Sequence, residues 1–170
     1  MIMNDLYQEI LVKQKKNPAA SLIKAALIAA TAVFALGAFF MNPVFFLPAL
    51  VLGVLCWFYS GRTDKEFEYL YVNGDFDIDV IYNKQKRKRV GSYDVNSMII
   101  FAPEKSHELD SYRQKSGITT KDYSSKTGSP KVWCGIYSVD KGEEMVLLEL
   151  EDDSIVKDLR RYAPRKVFLV

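Results

Sequence analysis

Five basic side chains fall within six residues, at Lys84, Lys86, Arg87, Lys88 and Arg89. On an extended chain Lys86 and Lys88 face one way while Arg87 and Arg89 face the other. Neither pair can be buried without partners, so the segment must project into solvent or toward a polyanion. One reading is contact with anionic lipid headgroups, near which each basic residue contributes ~1 kcal/mol, or with an acidic partner. A second is protection of a sheet edge, for which lysines are the usual device. A third is a determinant of membrane topology.

Asp75, Asp77 and Asp79 stand at alternate positions just upstream. Counted from Asp75, a calcium loop needs glycine at its sixth position and glutamate at its twelfth, where this chain has Val80 and Lys86. At period two the three carboxylates share one strand face, solvated and neutralised by the basic strand that follows. His107 is the chain's single histidine, between Ser106 and Glu108. Adjacent residues cannot fold back into a proton relay, and no serine sits in a nucleophile elbow. Cys56 and Cys134 are spaced for neither zinc nor redox chemistry, and a cytoplasmic disulfide is not expected. Trp133 and Tyr137 alternate with Lys131 as core aromatics do. No catalytic residue, cofactor, metal or nucleic-acid partner is expected, and the chain is read as a non-enzyme.

The elements that must position these residues divide sharply along the chain. Of 23 basic and 21 acidic residues none lies in 25–59, while 38 lie in 60–170. An uncharged run of 35 residues exceeds the ~20 that one bilayer crossing needs, which rules out a simple soluble globule. A single helix of that length would reach ~52 Å, and Asn42-Pro43 interrupts it near the middle. A transmembrane hairpin is expected, its first helix running from Ala19 or Leu22 to Met41 and its second from Pro43 to Tyr59. The second would measure only ~25 Å, with Pro48 kinking it and Trp57 and Tyr59 settling at the interface. Lys13, Lys15, Lys16 and Lys24 lie at one end, Arg62 and Lys65 at the other, and the turn has no basic residue. Both termini are therefore expected in the cytoplasm of a two-span cell-membrane protein. Small residues at Ala25/Ala29, Ala26/Ala30 and Ala49/Gly53 suit close packing within the hairpin or a homodimer through it. A cleaved signal is not expected, because Asp5 and Glu9 precede the apolar run. Cys56 lies too deep, behind a bulky Leu55, for a lipoprotein site.

Residues 1–18 read as a short amphipathic helix at the inner membrane surface, capped by Asn4, with Leu6/Ile10 and Tyr7/Leu11 one turn apart. The alternative is a frayed tail whose lysines set topology. Residues 19–60 form the hairpin, and residues 62–170 a cytoplasmic β-rich domain. There the pattern switches to period two. Residues 66–72 and 75–82 flank Asn73-Gly74, a strong hairpin signal. Residues 86–93 and 97–101 continue the meander. Pro103 to Pro130 reads as loop, apart from a short helix capped by Ser106 with Leu109 and Tyr112 facing the sheet. Residues 131–139 and 144–150 form a hairpin around Asp140-Lys141-Gly142. Asp152 or Asp153 then caps a helix carrying Ile155, Val156, Leu159 and Tyr162, ended by Ala163-Pro164, with a further strand at 165–170.

The fold class is thus a membrane α-hairpin plus an α+β domain. Antiparallel hairpins followed by one amphipathic helix pack as a partly open β-barrel with the helix over one mouth. In element order this resembles pleckstrin-homology-like (PH-like) domains. Val72–Ile81 (VNGDFDIDVI), Lys86–Arg89 (KRKR), Phe101–Tyr112 (FAPEKSHELDSY), Lys121–Tyr123 (KDY) and Ala163–Phe168 (APRKVF) resemble a domain-of-unknown-function family of small Firmicutes membrane proteins. That resemblance implies two N-terminal spans before the domain and transfers no activity. The expected role is a membrane-anchored binding module for an acidic lipid surface or a partner protein, using the five basic residues. The alternative is an accessory subunit of a membrane complex or transporter.

Overall fold

The computed structural model of the chain describes residues 6–15 and 17–169. These fall into two units, Lys15–Lys65 with Tyr82–Lys86, and Met1–Gln14 with Glu66–Ile81 and Arg87–Val170.

The first described element corrects the reading of the N-terminus. It is a strand, β1 (Tyr7–Lys13), rather than an amphipathic helix. It pairs antiparallel with β2 (Lys65–Val72), from Tyr7↔Val72 to Lys13↔Glu66. Helical and extended periods are hard to separate over so short a run, and an isolated helix of this length is marginal in water. A partner strand decides the matter. Tyr7, Glu9, Leu11 and Lys13 are exposed, while Val12 is buried and Gln8 and Ile10 are half-buried. The expected cap at Asn4 lies outside the described residues.

In the helical unit, α1 (Pro18–Phe40) starts at Asn17, whose side chain accepts from the Ala19 amide at 3.0 Å. Asn42 caps a short 3-10 turn, Pro43–Phe45, by accepting from the Val44 amide at 2.9 Å. α2 (Phe46–Thr63) then continues past the expected end at Tyr59. Pro43–Gly61 and Pro18–Phe40 are both long and apolar enough to cross a membrane, with mean hydropathies of 2.0 and 2.1. Pro48 falls in the first turn of α2, where its missing amide removes no bond from within that helix. Ala49 is buried, and Gly53 lies where an added Cβ would sit 3.8 Å from Thr31 Cγ2 of α1. That small face meets α1 as expected. The outer sides are apolar and bare, with Phe39 83% and Leu22 74% exposed.

In the second unit, β1, β2, β3 (Asp75–Tyr82) and β4 (Lys86–Tyr93) form one sheet in that order. β5 (Met98–Pro103) leads to a 3-10 turn, His107–Leu109, and a short helix, α3 (Asp110–Gln114). Ser106 caps this segment and Leu109 is buried, as expected. The rest of the expected loop contains a strand, β6 (Thr119–Asp122), running parallel to β8 (Gly142–Glu149). Its four residues are too few and too polar to show alternation. With β7 (Val132–Val139) these make a second sheet of order β5-β7-β8-β6. α4 (Asp153–Tyr162) follows, capped by Asp152. The chain ends on a single parallel bridge, Phe101↔Val167, in place of a full added strand.

In place of the expected partly open barrel the strands form two separate sheets that do not close into a barrel. The turn at Asp94–Ser97, held by Asp94 Oδ1 on the Asn96 amide at 2.6 Å, carries the chain from one sheet into the next. β1 and β4, β5 and β6 remain edges. The sheets meet through aromatic side chains instead of a continuous ladder. Phe76 of β3 stacks on Phe101 of β5 at 6.4 Å and Tyr93 of β4 meets Tyr137 of β7 in a tilted pair at 4.8 Å, while within the second sheet Phe101 stacks on Trp133 at 5.5 Å. Gly91 and Gly135 leave room for those tyrosines, since an added Cβ would come within 2.6 Å of Tyr93 and 2.5 Å of Tyr137. Ile155, Val156 and Leu159 bury the inner face of α4.

Buried hydroxyls tie this core together. Tyr69 donates to the Tyr123 carbonyl at 2.6 Å, Tyr71 to Asp158 at 2.8 Å and Tyr93 to Glu144 at 3.0 Å. Burial drives all three hydroxyls, and that of Tyr137, well above the usual tyrosine range. Among the described residues the buried Tyr137 hydroxyl has no hydrogen-bond partner. Removing an unpaired buried donor relieves a desolvation penalty, whereas removing one partner strands the other. Tyr137→Phe is therefore expected to be neutral or to stabilise by up to about 1 kcal/mol. Tyr71→Phe, which leaves Asp158 without its donor, should destabilise by about 1–3 kcal/mol. Denaturant titration of the full chain in detergent distinguishes them, and equal effects would contradict this assignment.

Glu149 fixes the loop after β6. Its Oε2 accepts from the Ser125 amide at 2.9 Å. Burial pushes its carboxyl up, but the Ser125 hydroxyl and amide and the Ser129 hydroxyl outweigh that and hold it below the usual range. A depressed folded-state value stabilises above the unfolded value of ~4.3 and is lost as pH falls through the folded one. Glu149→Gln should thus be less stable than the natural chain at neutral pH, with the difference shrinking as pH falls below the unfolded value of ~4.3. A pH-independent difference would contradict this.

Candidate functional site

The β3–β4 hairpin sorts its basic residues into two groups. Asp77 and Asp79 lie on one face of β3, opposite the buried Phe76, Ile78 and Val80. Arg89 Nη1 pairs with Asp77 at 2.9 Å and its Nε with Asp79 at 3.2 Å. Arg87 pairs with Asp79 at 3.4 Å and with Glu68 of β2. Ser92 Oγ donates to Asp77 at 2.6 Å, and the Val95 amide to Asp75 at 3.3 Å. The aspartate face is neutralised by the basic strand, as expected from the alternation. Arg87 and Arg89 thus knit the outer face of the sheet.

Lys84, Lys86 and Lys88 differ. All three are exposed, and among the described residues none makes an ion pair. The Gln85 amide donates to the Tyr82 carbonyl at 3.1 Å, closing a two-residue turn with φ of 49° at Asn83 and 57° at Lys84. Positive φ at both central positions is the type I′ pattern, in which glycine is favoured at the second. The chain uses that choice at Asn73-Gly74, with φ of 50° and 103°. At Asn83-Lys84 it places a lysine where a Cβ costs roughly 1–2 kcal/mol. Within the helical unit, the Asn83 amide donates to the Asp64 carbonyl just past α2 at 2.9 Å, and Lys65 Nζ lies 5.7 Å from the centre of the Tyr82 ring. The lysine turn is thus tied to the end of an apolar helix.

The remaining candidates are placed as follows. His107 is exposed, with Nε2 3.4 Å from Glu108 Oε1. Arg113 secures its segment by donating to the Ser106 and Glu104 carbonyls. Cys134 is buried, and burial pushes its thiol up to about 12, which makes it a poor nucleophile at neutral pH. Cys56 is half-buried in α2. Among the described residues no three His, Cys, Asp or Glu side chains converge as metal ligands.

One feature escaped the sequence reading. An open groove of about 820 Å³ runs along all of β1, walled by Ser125, Thr127, Glu149, Glu151 and Asp152. Its signal lay in the Tyr7–Lys13 alternation, which reads equally well as a helical face.

Residues 4–169 match the family model described as Bacterial PH-like domain (DUF6106), and the chain belongs to that family. The match begins ahead of β1 and spans both apolar helices, so the family's unit includes the N-terminal strand. No curated protein and no solved structure matches the chain.

Proposed function

We propose that this PH-like protein is anchored in the bacterial cell membrane by α1 and α2, with both termini in the cytoplasm, and that its lysine turn binds anionic lipid headgroups. The observation that carries this reading is Lys84, at φ 57° in a position suited to glycine. Strain retained at an exposed turn points to a role outside folding. Lys86 and Lys88 follow it, making no ion pair among the described residues. The hydrogen bond from Asn83 to Asp64 ties the turn to the end of α2, where a bilayer-spanning helix would meet its headgroups. Arg87 and Arg89 act in this account as positioning residues that stiffen the hairpin through Asp77, Asp79 and Glu68. The bare apolar surface of the helices supports insertion, since burying apolar area is worth about 25 cal/mol per Å². The module works by binding and carries out no reaction. An accessory-subunit role is the second reading, favoured by the exposure of Ala25, Ala26 and Ala29 on α1, where another helix could approach closely.

The test is titration of the full chain in neutral detergent with monomeric dihexanoyl phosphatidylglycerol and, separately, dihexanoyl phosphatidylcholine. Salt-sensitive binding of the anionic lipid alone is expected. Equal binding of both lipids, or none of either, contradicts the lipid reading and leaves the lysines as edge protection.

A further inference from the structure

Sheet edges invite pairing with other strands, and folded proteins block them. Three of the four edges here are managed. β4 carries Lys86 and Lys88. β5 is covered by the C-terminal segment, with the Phe101 amide donating to the Lys166 carbonyl at 2.8 Å and the Phe168 amide to the Phe101 carbonyl at 2.9 Å. β6 has only four residues. β1 is the exception, with seven residues, no proline and one lysine, Lys13, at its end.

The Asn73 amide donates to the Leu6 carbonyl at 3.3 Å, in register with the β1–β2 ladder. Hydrogen-bonding direction alternates along an antiparallel strand. The backbone groups of Gln8, Ile10 and Val12 therefore face β2, and those of Tyr7, Glu9, Leu11 and Lys13 face outward. That outward row lines the groove along β1. The groove is acidic, since Glu9, Glu149, Glu151 and Asp152 line it against Lys13 alone, and Lys13 already pairs with Glu66 at 3.7 Å. Tyr7 and Leu11 are 61% and 59% exposed on the outer face of the strand.

We propose that β1 receives an extended, basic segment of a partner protein as a fifth strand of its sheet. Backbone pairing with Tyr7, Glu9, Leu11 and Lys13 supplies the register. Alternate apolar side chains of the segment cover Tyr7 and Leu11 on one face, and its lysines or arginines, on the other face with Gln8, meet Glu151 and Asp152. A β1 of seven residues spans ~24 Å at 3.4 Å per residue, matching a segment of similar length.

The test uses the full chain in detergent and an array of peptides, each nine residues long, in which lysine alternates with each apolar residue in turn. Leu11→Pro is the informative variant. Its lost amide faces outward, so the β2 ladder and the fold are retained, as proline is tolerated on edge strands. Salt-sensitive binding by array members is expected, weakened about tenfold or more by Leu11→Pro and by N-methylation of alternate peptide amides. Glu151→Lys should abolish it with no change in thermal unfolding, since Glu151 is exposed in the groove wall. Failure of every peptide to bind, or binding indifferent to Leu11→Pro and N-methylation, overturns the proposal. So does a dimer of the natural chain that Leu11→Pro dissolves, because a second copy would then be the occupant.

Discussion

A fragment beginning at Glu66 is expected to be at least about 3 kcal/mol less stable than the same domain with its N-terminal strand attached. β1 contributes the ladder to β2, the buried side chain of Val12 and half-buried Ile10 and Gln8. Gln8 also donates to Ser154 Oγ at 2.7 Å and to Asp152 at 3.2 Å, linking the strand to the start of α4. Burying an aliphatic side chain stabilises by about 1.5–3 kcal/mol, and each net hydrogen bond by about 0.5–1.5 kcal/mol. Without β1, the β2 edge that carries Tyr69 and Tyr71 would be bare. The comparison is a chain in which residues 15–65 are replaced by a flexible Gly/Ser linker, so that β1 remains. Denaturant midpoints of the two soluble forms read the difference directly. Equal midpoints would show that β1 is dispensable, contrary to its place in the sheet.

Changing Lys84, Lys86 and Lys88 to glutamine is expected to weaken binding of anionic lipid by about 100-fold, at ~1 kcal/mol for each charge near the headgroups. Folding stability should hardly change, because none of the three makes an ion pair among the described residues. Arg87→Gln with Arg89→Gln should do the reverse, loosening the pairs with Asp77, Asp79 and Glu68 and affecting lipid binding less. Lys84→Gly separates the two effects within one residue. It relieves the positive φ of 57° and should raise stability by about 1 kcal/mol while weakening lipid binding. If Lys84→Gly destabilised the chain, the strain argument would be wrong. If the arginine pair governed affinity, the division of the cluster would be.

The sequence carried the fold unevenly. The helical hairpin was legible because 35 uncharged residues admit few structures, and Asn42-Pro43 marks its turn. The Asn73-Gly74 hairpin and the α4 cap at Asp152 were legible because their chemistry is local. β1 was not, since its partner is β2, more than 50 positions away, and non-local pairing leaves no trace in spacing. β6 was hidden for a similar reason, its partner β8 lying beyond an intervening strand. The division of the expected partly open barrel into two separate sheets was not legible, because element order says nothing about whether edge strands meet. At the candidate site the five basic residues stood out, but their division into paired arginines and unpaired lysines depends on the carboxylates of β2 and β3. The positive φ at Lys84 could have been anticipated from a two-residue turn that begins with asparagine.

The central claim, that the lysine turn rests on anionic lipid, is tested most directly by a nitroxide at Gln85→Cys in the full chain. The background is Cys56→Ser, since burial and the raised thiol keep Cys134 unreactive. The protein is placed in nanodiscs of phosphatidylcholine alone or with phosphatidylglycerol, and collisions with a lipid-anchored relaxing agent are measured at low and high salt. The account predicts strong relaxation in the anionic discs, reduced by salt and removed by Lys84→Gln, Lys86→Gln and Lys88→Gln together. Equal relaxation in neutral and anionic discs, unchanged by salt, would contradict it.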